Sequence, residues 1–246
     1  MLAVEWPAPA CVAAWMTTRH GGVSQGPYAS LNLGAHVGDD PAAVAENRER
    51  LARAIGTCPL WLQQVHGSEI VDARDVRDGV AGPADAMVAL QPGLACAIQV
   101  ADCLPVLFCT RDGGAVAAAH AGWRGLAAQV LARTVEALSR ASGARRGDIL
   151  AWLGPCIGPR HFEVGDEVRV AFGDGGATHF RPQVRRDGSP GWLCDLPSLA
   201  RDQLRQSGIQ EIQGGSWCTV EQASDFFSFR RDGACGRMAA VVSRLS

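Results

Sequence analysis

The stretch Leu104-Pro-Val-Leu-Phe-Cys-Thr110, Arg111-Asp-Gly-Gly114, Ala115-Val-Ala-Ala-Ala-His120 decides the fold. Two apolar runs flank a turn of Arg, Asp and paired Gly, which is a β-hairpin signal. With Asp112-Gly113 as a two-residue loop, Arg111 pairs with Gly114. His120 then faces Pro105, and Cys103 faces Gly122. Slipping the loop back by one residue places Cys103 directly opposite His120. Both registers leave this thiol and imidazole on one sheet face, with Cβ atoms roughly 5 to 8 Å apart. Pro105 has no N–H to give a ladder, so an edge or bulge position is expected for it.

Outward from the hairpin, the pattern mixes strands and helices without regular alternation. Pro41–Ile55 reads as a helix, with Asp39-Asp40 before Pro41 and Gly56 after it. Leu126–Ser139 and Pro197–Gln206 repeat apolar residues at helical spacing and end near Gly143 and Gly208. Further strands are expected at Trp61–Val65, Ile70–Ala73, Ala86–Leu90, Leu94–Val100 and Ile149–Leu153, and at Ile209–Ile212 and Arg237–Val242. Phe172–Gly191, rich in Gly, Arg and Asp, reads as a long surface loop. The class is mixed α/β: mixed β-sheets flanked by helices, sandwich-like, rather than a barrel or a doubly wound sheet.

Composition removes several mechanisms. All 23 basic residues are arginine, and there is no lysine among the 246. Schiff-base chemistry, a P-loop lysine and the strand lysine of protein kinases are excluded. Anionic groups must meet arginine, backbone amides or a metal. The net charge of −2 argues against a general nucleic-acid binder. The first 15 residues lack a basic start and carry Glu5, Pro7 and Pro9, which is unlike a secretory leader. Gln99, Asp102 and Pro105 interrupt the most apolar stretch, so no membrane span is expected. With nine cysteines and no Cys-x-x-Cys pair, reduced thiols in a cytoplasmic protein are expected.

Candidate chemistry lies at the ends of apolar runs. His66 closes Leu62-Gln-Gln-Val-His66, Cys103 closes Ala95-Cys-Ala-Ile-Gln-Val-Ala-Asp-Cys103, and His120 closes the hairpin. Strand ends fix a group's position while neighbouring loops admit a ligand. Cys103 and His120 could share a metal or form a nucleophile–base dyad; each also suits an ordinary buried thiol or hydrogen-bonded histidine. Spacing does not bring His66 to them. Arg124, in His120-Ala-Gly-Trp-Arg-Gly125, and Arg19, in Thr17-Thr-Arg-His-Gly-Gly22, suit anion binding or loop bracing. Phe226-Phe-Ser-Phe-Arg-Arg-Asp232 reads as core aromatics before a charged turn. Asp102 and Gln64 are candidates for proton transfer or for orienting the neighbouring groups.

These segments follow one another in a specific order. Thr17–Ser24, Ser30-Leu-Asn-Leu-Gly34, Gln64-Val-His-Gly67, Ala84-Asp-Ala86, Ala101-Asp-Cys-Leu-Pro105 and His120–Gly125 come first. Gly154-Pro-Cys-Ile-Gly158, Phe226–Gly233 and Gly236-Arg237 complete the series. Together they resemble the laccase-domain, multicopper polyphenol oxidase-like family of bacterial purine nucleoside phosphorylases, also linked to peptidoglycan editing. The resemblance spans nearly the whole chain and implies one domain over residues 1–246 with its active site at strand ends. It implies a zinc held by His66, Cys103 and His120, with an open fourth position as in catalytic sites. Ala89 and Cys235 replace expected hydroxyl residues, and Phe229 stands where tyrosine is common.

The resemblance implies phosphorolysis of adenosine, inosine and methylthioadenosine, and deamination of adenosine. Purine nucleosides and phosphate are then the partners, and a monomer is expected. Arg19, Arg124 and Asn32 become candidates for phosphate or ribose, and Asp102 for a proton shuttle. True multicopper laccases use His-x-His pairs, which the six histidines here do not form. Copper could still occupy a lone His₂Cys set, so polyphenol oxidation is a secondary reading. A Cys103–His120 hydrolase of amides or esters, editing cell-wall precursors, and a non-catalytic metal-binding module are the rivals.

Overall fold

The hairpin takes the first of the two registers, with Val106 paired with Ala119, Pro105 with His120 and Leu104 with Ala121. Its loop, however, is Arg111–Gly114, closed by Thr110 and Ala115, because the Arg111 amide donates to the Asp148 carbonyl instead of pairing with Gly114. The computed structural model describes residues 1–185 and 188–245. Its first half contains β1 (Val12–Met16), α1 (Pro41–Ile55), β2 (Pro59–Gln63), β3 (Ile70–Asp72), β4 (Val80–Pro83), β5 (Ala86–Ala89), β6 (Ala95–Val100), β7 (Leu104–Thr110) and β8 (Val116–Ala121). Then follow α2 (Trp123–Ala127), α3 (Val130–Ser142), β9 (Ile149–Leu153), β10 (Glu163–Val164), α4 (Asp166–Gly176), β11 (Phe180–Val184) and β12 (Pro190–Cys194). The chain closes with α5 (Leu196–Gln206), β13 (Glu211–Gly214), α6 (Phe229–Asp232) and β14 (Met238–Arg244).

Three sheets result, ordered β1-β14-β6-β2-β4, β13-β9-β7-β8-β5-β3 and β10-β12-β11. Both large sheets are mixed: β2 runs parallel to β6 and β4, whereas β7 is antiparallel to β8 and β9. The two pack face to face. Cys96, Ile98 and Val100 of β6 and Met238, Ala240 and Val242 of β14 meet Leu107, Val116, Ala118, Leu150 and Trp152. The alternate residues of β7 and β8, Val106, Phe108, Ala117 and Ala119, turn to Leu131, Val135 and Leu138 of α3 and Leu199 and Leu204 of α5. Ala95, Ala97, Ala239 and Val241 face Leu51 and Ile55 of α1. The architecture is therefore helix, sheet, sheet, helix, and β7 and β8 read as continuous apolar runs because both their faces are covered.

Helix α1 matches the sequence reading: the Asp40 side chain accepts from the Ala42 amide, and Gly56 closes the helix at φ 75°. Elsewhere local geometry differs. Leu126–Ser139 is not one helix; Gln129 sits at φ 64° and divides α2 from α3. Pro105 lies in a central strand rather than at an edge or bulge. His120 gives its N–H to the Asp85 carbonyl, so the pairing with Pro105 asks for no proline N–H. Phe172–Gly191 is not a loop: it holds the end of α4, all of β11 and the start of β12. Within that stretch, Arg186 and Asp187 lie outside the described residues. No helix among the described residues is long and apolar enough to cross a membrane.

Candidate metal centre and cavity

Topology brings three distant residues to one rim. Strands β2 and β6 are parallel, so their C-terminal ends share a side. After β6 the chain crosses to the other sheet through residues 101–103 and starts β7, and β8 returns to the same rim. His66 follows β2, Cys103 ends the crossover, and His120 is the penultimate residue of β8. Their ligand atoms all lie within 4.8 Å of one another. Cys103 Sγ is 3.7 Å from His66 Nε2, and the two imidazole centroids are 4.8 Å apart.

Asp85, fully buried, organises both histidines. Its carboxylate accepts from His120 Nδ1 at 2.8 Å. It also accepts from the amides of Val65, His66 and Gly67 at 3.2, 2.9 and 2.6 Å. These bonds hold His66 at φ 60°, a conformation costly for a side-chain-bearing residue. They also leave His120 Nε2 to face the other donors, the arrangement metal-ligating histidines commonly use. Gly122 makes room: a Cβ there would come within 3.0 Å of Cys103 Sγ and 3.1 Å of His66 Cδ2.

Burial pushes the Cys103 thiol up, but the His120 and His66 imidazoles outweigh it and hold the thiol at about 6. His120 is likewise opposed by burial yet raised to about 9 by Cys103 and Asp85. Without a cation the pair is thus a thiolate beside an imidazolium. Two ring nitrogens and a thiolate, one histidine oriented by a buried carboxylate, fit a four-coordinate zinc with one position left open.

The centre opens into a cavity of about 400 Å³. One wall, from the helical side, presents Trp123, Arg124, Ile157, Phe162 and Leu196; the other presents His36, Gln64, Gln99 and Arg237, with Phe229 and Arg230 also lining the space. Arg230 donates to the carbonyls of His161 and Glu163, Arg237 to those of Cys235 and Gly236, and Arg124 lies over the Trp123 ring. None of these three guanidiniums meets a carboxylate among the described residues. Partial burial, with Arg237 and Arg48 nearby, pushes His36 below the ordinary imidazole range.

Arg124 and Asp102 line this cavity; Arg19 and Asn32 do not. Arg19 braces a turn, donating to the carbonyls of Ala29 and Ala223 and lying over Phe227. Asn32 is fully buried, bonded to Gly34, Asp39 and the Arg237 amide. Both oxygens of Asp102 are engaged, one by the Thr219 hydroxyl at 2.5 Å and one by the Arg230 amide at 2.7 Å. Asp102 itself sits at φ 91°. Sequence reasoning missed Asp85, His36, Gln99, Phe162, Arg230 and Arg237 as site residues. A carboxylate inside the apolar run Ala84-Asp-Ala-Met87 was the signal for Asp85. A second donor cluster, His161, Cys218 and Glu221, is closed by its own partners: Arg160 holds both Glu221 oxygens, and His161 lies 2.9 Å from one of them.

Residues 13–245 match the family model described as multi-copper polyphenol oxidoreductase laccase. The chain belongs to this laccase family. The laccase-family chain is 50% identical over 242 residues to a protein named purine nucleoside phosphorylase from Pseudomonas aeruginosa, covering 98% of this chain and 97% of the relative. An Escherichia coli relative of the same name is 47% identical over 244 residues, covering 98% of each chain. The crystal structure of a Neisseria meningitidis protein superposes with a TM-score of 0.93 at 46% identity, covering 100% of this chain and 99% of that one. The laccase-family fold here carries no His-x-His pair among its six histidines, so the multinuclear copper clusters of true laccases have no ligands of that pattern.

Proposed function

We propose that the chain is a zinc-dependent purine nucleoside phosphorylase acting on adenosine, inosine and methylthioadenosine. The observation that carries this reading is the His66–Cys103–His120 centre, opening into a cavity whose arginines lack carboxylate partners. The names of relatives at 50% and 47% identity support it. A zinc held by the three donors supplies Lewis acidity at the cavity floor. Trp123, Ile157, Phe162 and Leu196 offer an apolar slot for a purine and exclude water from one side of it. Arg124, Arg230 and Arg237 hold phosphate and restrain its charge beside the ribose C1′. The new bond joins a phosphate oxygen to C1′, the bond from C1′ to the base nitrogen breaks, and the proton that hydrogen phosphate gives up ends on the departing base. Asp102, with both oxygens engaged, positions the Cys103 crossover in this scheme rather than shuttling a proton. Hydrolytic deamination of adenosine belongs to the same reading as a separate step, in which water adds at the purine C6 and the amino group leaves as ammonia.

Purified protein incubated with adenosine or inosine, with and without phosphate, tests the proposal. Phosphate-dependent release of free base, lost on chelation and in Cys103→Ala, is expected. Full activity in metal-free protein would sink it. The thiolate character of Cys103 favours a second reading, a Cys103–His120 hydrolase. Turnover blocked by thiol alkylation but indifferent to chelators would select that one.

A further inference from the structure

Gln99 is an unexplained polar group inside the cavity. It is the fifth residue of β6, only 6% exposed, and opposite Ala239 of β14. The residues before it on the same sheet face, Ala95 and Ala97, are core. Gln99 interrupts that apolar series where the strand reaches the cavity. Its backbone is fully used: the Gln64 carboxamide accepts from the Gln99 N–H at 2.8 Å and donates to the Gln99 carbonyl at 2.9 Å. Its side chain is not. Gln99 Oε1 is buried and has no hydrogen-bond partner among the described residues. A buried acceptor left unpaired is costly, and such groups are rare unless something else satisfies them.

Oε1 lies out of the cavity's reach as placed, and a half-turn about the soft last side-chain torsion exchanges it with the amide nitrogen, so the carboxamide can meet the cavity as acceptor or as donor. Phosphate near neutrality offers acceptors almost exclusively and is drawn to the arginines. The purine finds its apolar slot on the opposite wall. A ribose hydroxyl both donates and accepts, as a carboxamide does, and it joins the base to the site of phosphate attack.

We propose that Gln99 is the sugar-reading residue of this cavity, its carboxamide hydrogen-bonding a ribose hydroxyl of the nucleoside. The inference rests on the phosphorylase reading for its substrate class. The test compares adenosine with 2′-deoxyadenosine and 3′-deoxyadenosine in wild type, Gln99→Leu and Gln99→Met, reading kcat/KM and zinc content. Wild type is expected to prefer adenosine over at least one deoxy analogue by about 10-fold or more, since a site built around a hydroxyl rejects its absence. Both variants are expected to lose that preference, chiefly through KM for adenosine, with zinc content and the adenosine-to-inosine ratio unchanged. Equal use of all three nucleosides by wild type, or an undiminished preference in both variants, would overturn the proposal. A changed adenosine-to-inosine ratio with the ribose preference intact would place Gln99 on the base edge and overturn it too. Calorimetric binding of the same three nucleosides separates the two claims. Binding with Gln99-dependent discrimination but no turnover sinks the phosphorylase reading and keeps this one; no binding and no turnover removes both.

Discussion

Asp85 shows how one buried carboxylate can set the chemistry of a site it does not enter. Replacing it by Asn keeps the size but weakens the acceptor for His120 and for three successive amides. Asp85→Asn is expected to weaken zinc binding about 10- to 100-fold, measured by competition with a chromophoric chelator. The thiolate–imidazolium pair makes a separate forecast for metal-free protein. The Cys103 pKa is lowered to about 6, so its contribution is present above the ordinary thiol range and is lost as pH falls through about 6. The His120 pKa is raised to about 9, so its contribution is present below the ordinary imidazole range and is lost as pH rises through about 9. Between the ordinary imidazole range and about 9 the Cys103 contribution grows as the His120 contribution declines by the same amount per pH unit. The melting temperature of chelated protein should therefore stay nearly level there, whereas Cys103→Ser leaves only the declining contribution and should make it fall as pH rises. Cys103 and His120 were legible in the sequence because turn chemistry fixes their relation locally. Asp85 was harder to find because its partners lie up to 35 residues away.

Short elements next to the ligands are built without spare volume. Gly125 lies in α2, where a Cβ would come within 2.9 Å of the Gly67 carbonyl and 3.3 Å of the His120 carbonyl. Both are backbone contacts and cannot swing aside. Gly125→Ala should therefore move the loop bearing His66 and lower zinc content, although no ligand is touched; elemental analysis of the folded variant checks this. Away from the site, Asp40→Ala removes the α1 cap and should cost about 1 kcal/mol, with zinc content unchanged. The contrast separates loss of the centre from loss of stability. Helix α1 could be read from its caps because Asp40, Pro41 and Gly56 act within the chain segment itself. The division of α2 from α3 at Gln129 could not, since glutamine carries no signal for φ 64°. Arg19 shows the same limit: its polar, glycine-rich setting resembles that of Arg124, but only tertiary packing sends one to a turn and the other to the cavity.

The whole molecule joins two sheets through one set of donors. His66 follows a strand of the five-stranded sheet, His120 lies in the six-stranded one, and Cys103 ends the crossover between them. Zinc at about 100 times its dissociation constant should stabilise the fold by about 2.7 kcal/mol. That corresponds to a rise of about 5 to 10 °C in melting temperature, reversed by chelation. The mixed α/β class was readable from the irregular mixture of runs, whereas the strands β1, β4, β10, β11 and β12 were not, being short or held by remote partners. The crossover has a consequence in time as well as space. His66 and Cys103 are 37 residues apart, and they meet only when the two sheets have docked. Bringing such distant residues together costs loop-closure entropy before the contact repays it. A metal held by these three donors would therefore load onto the assembled fold, since a nascent chain has no complete donor set to offer it.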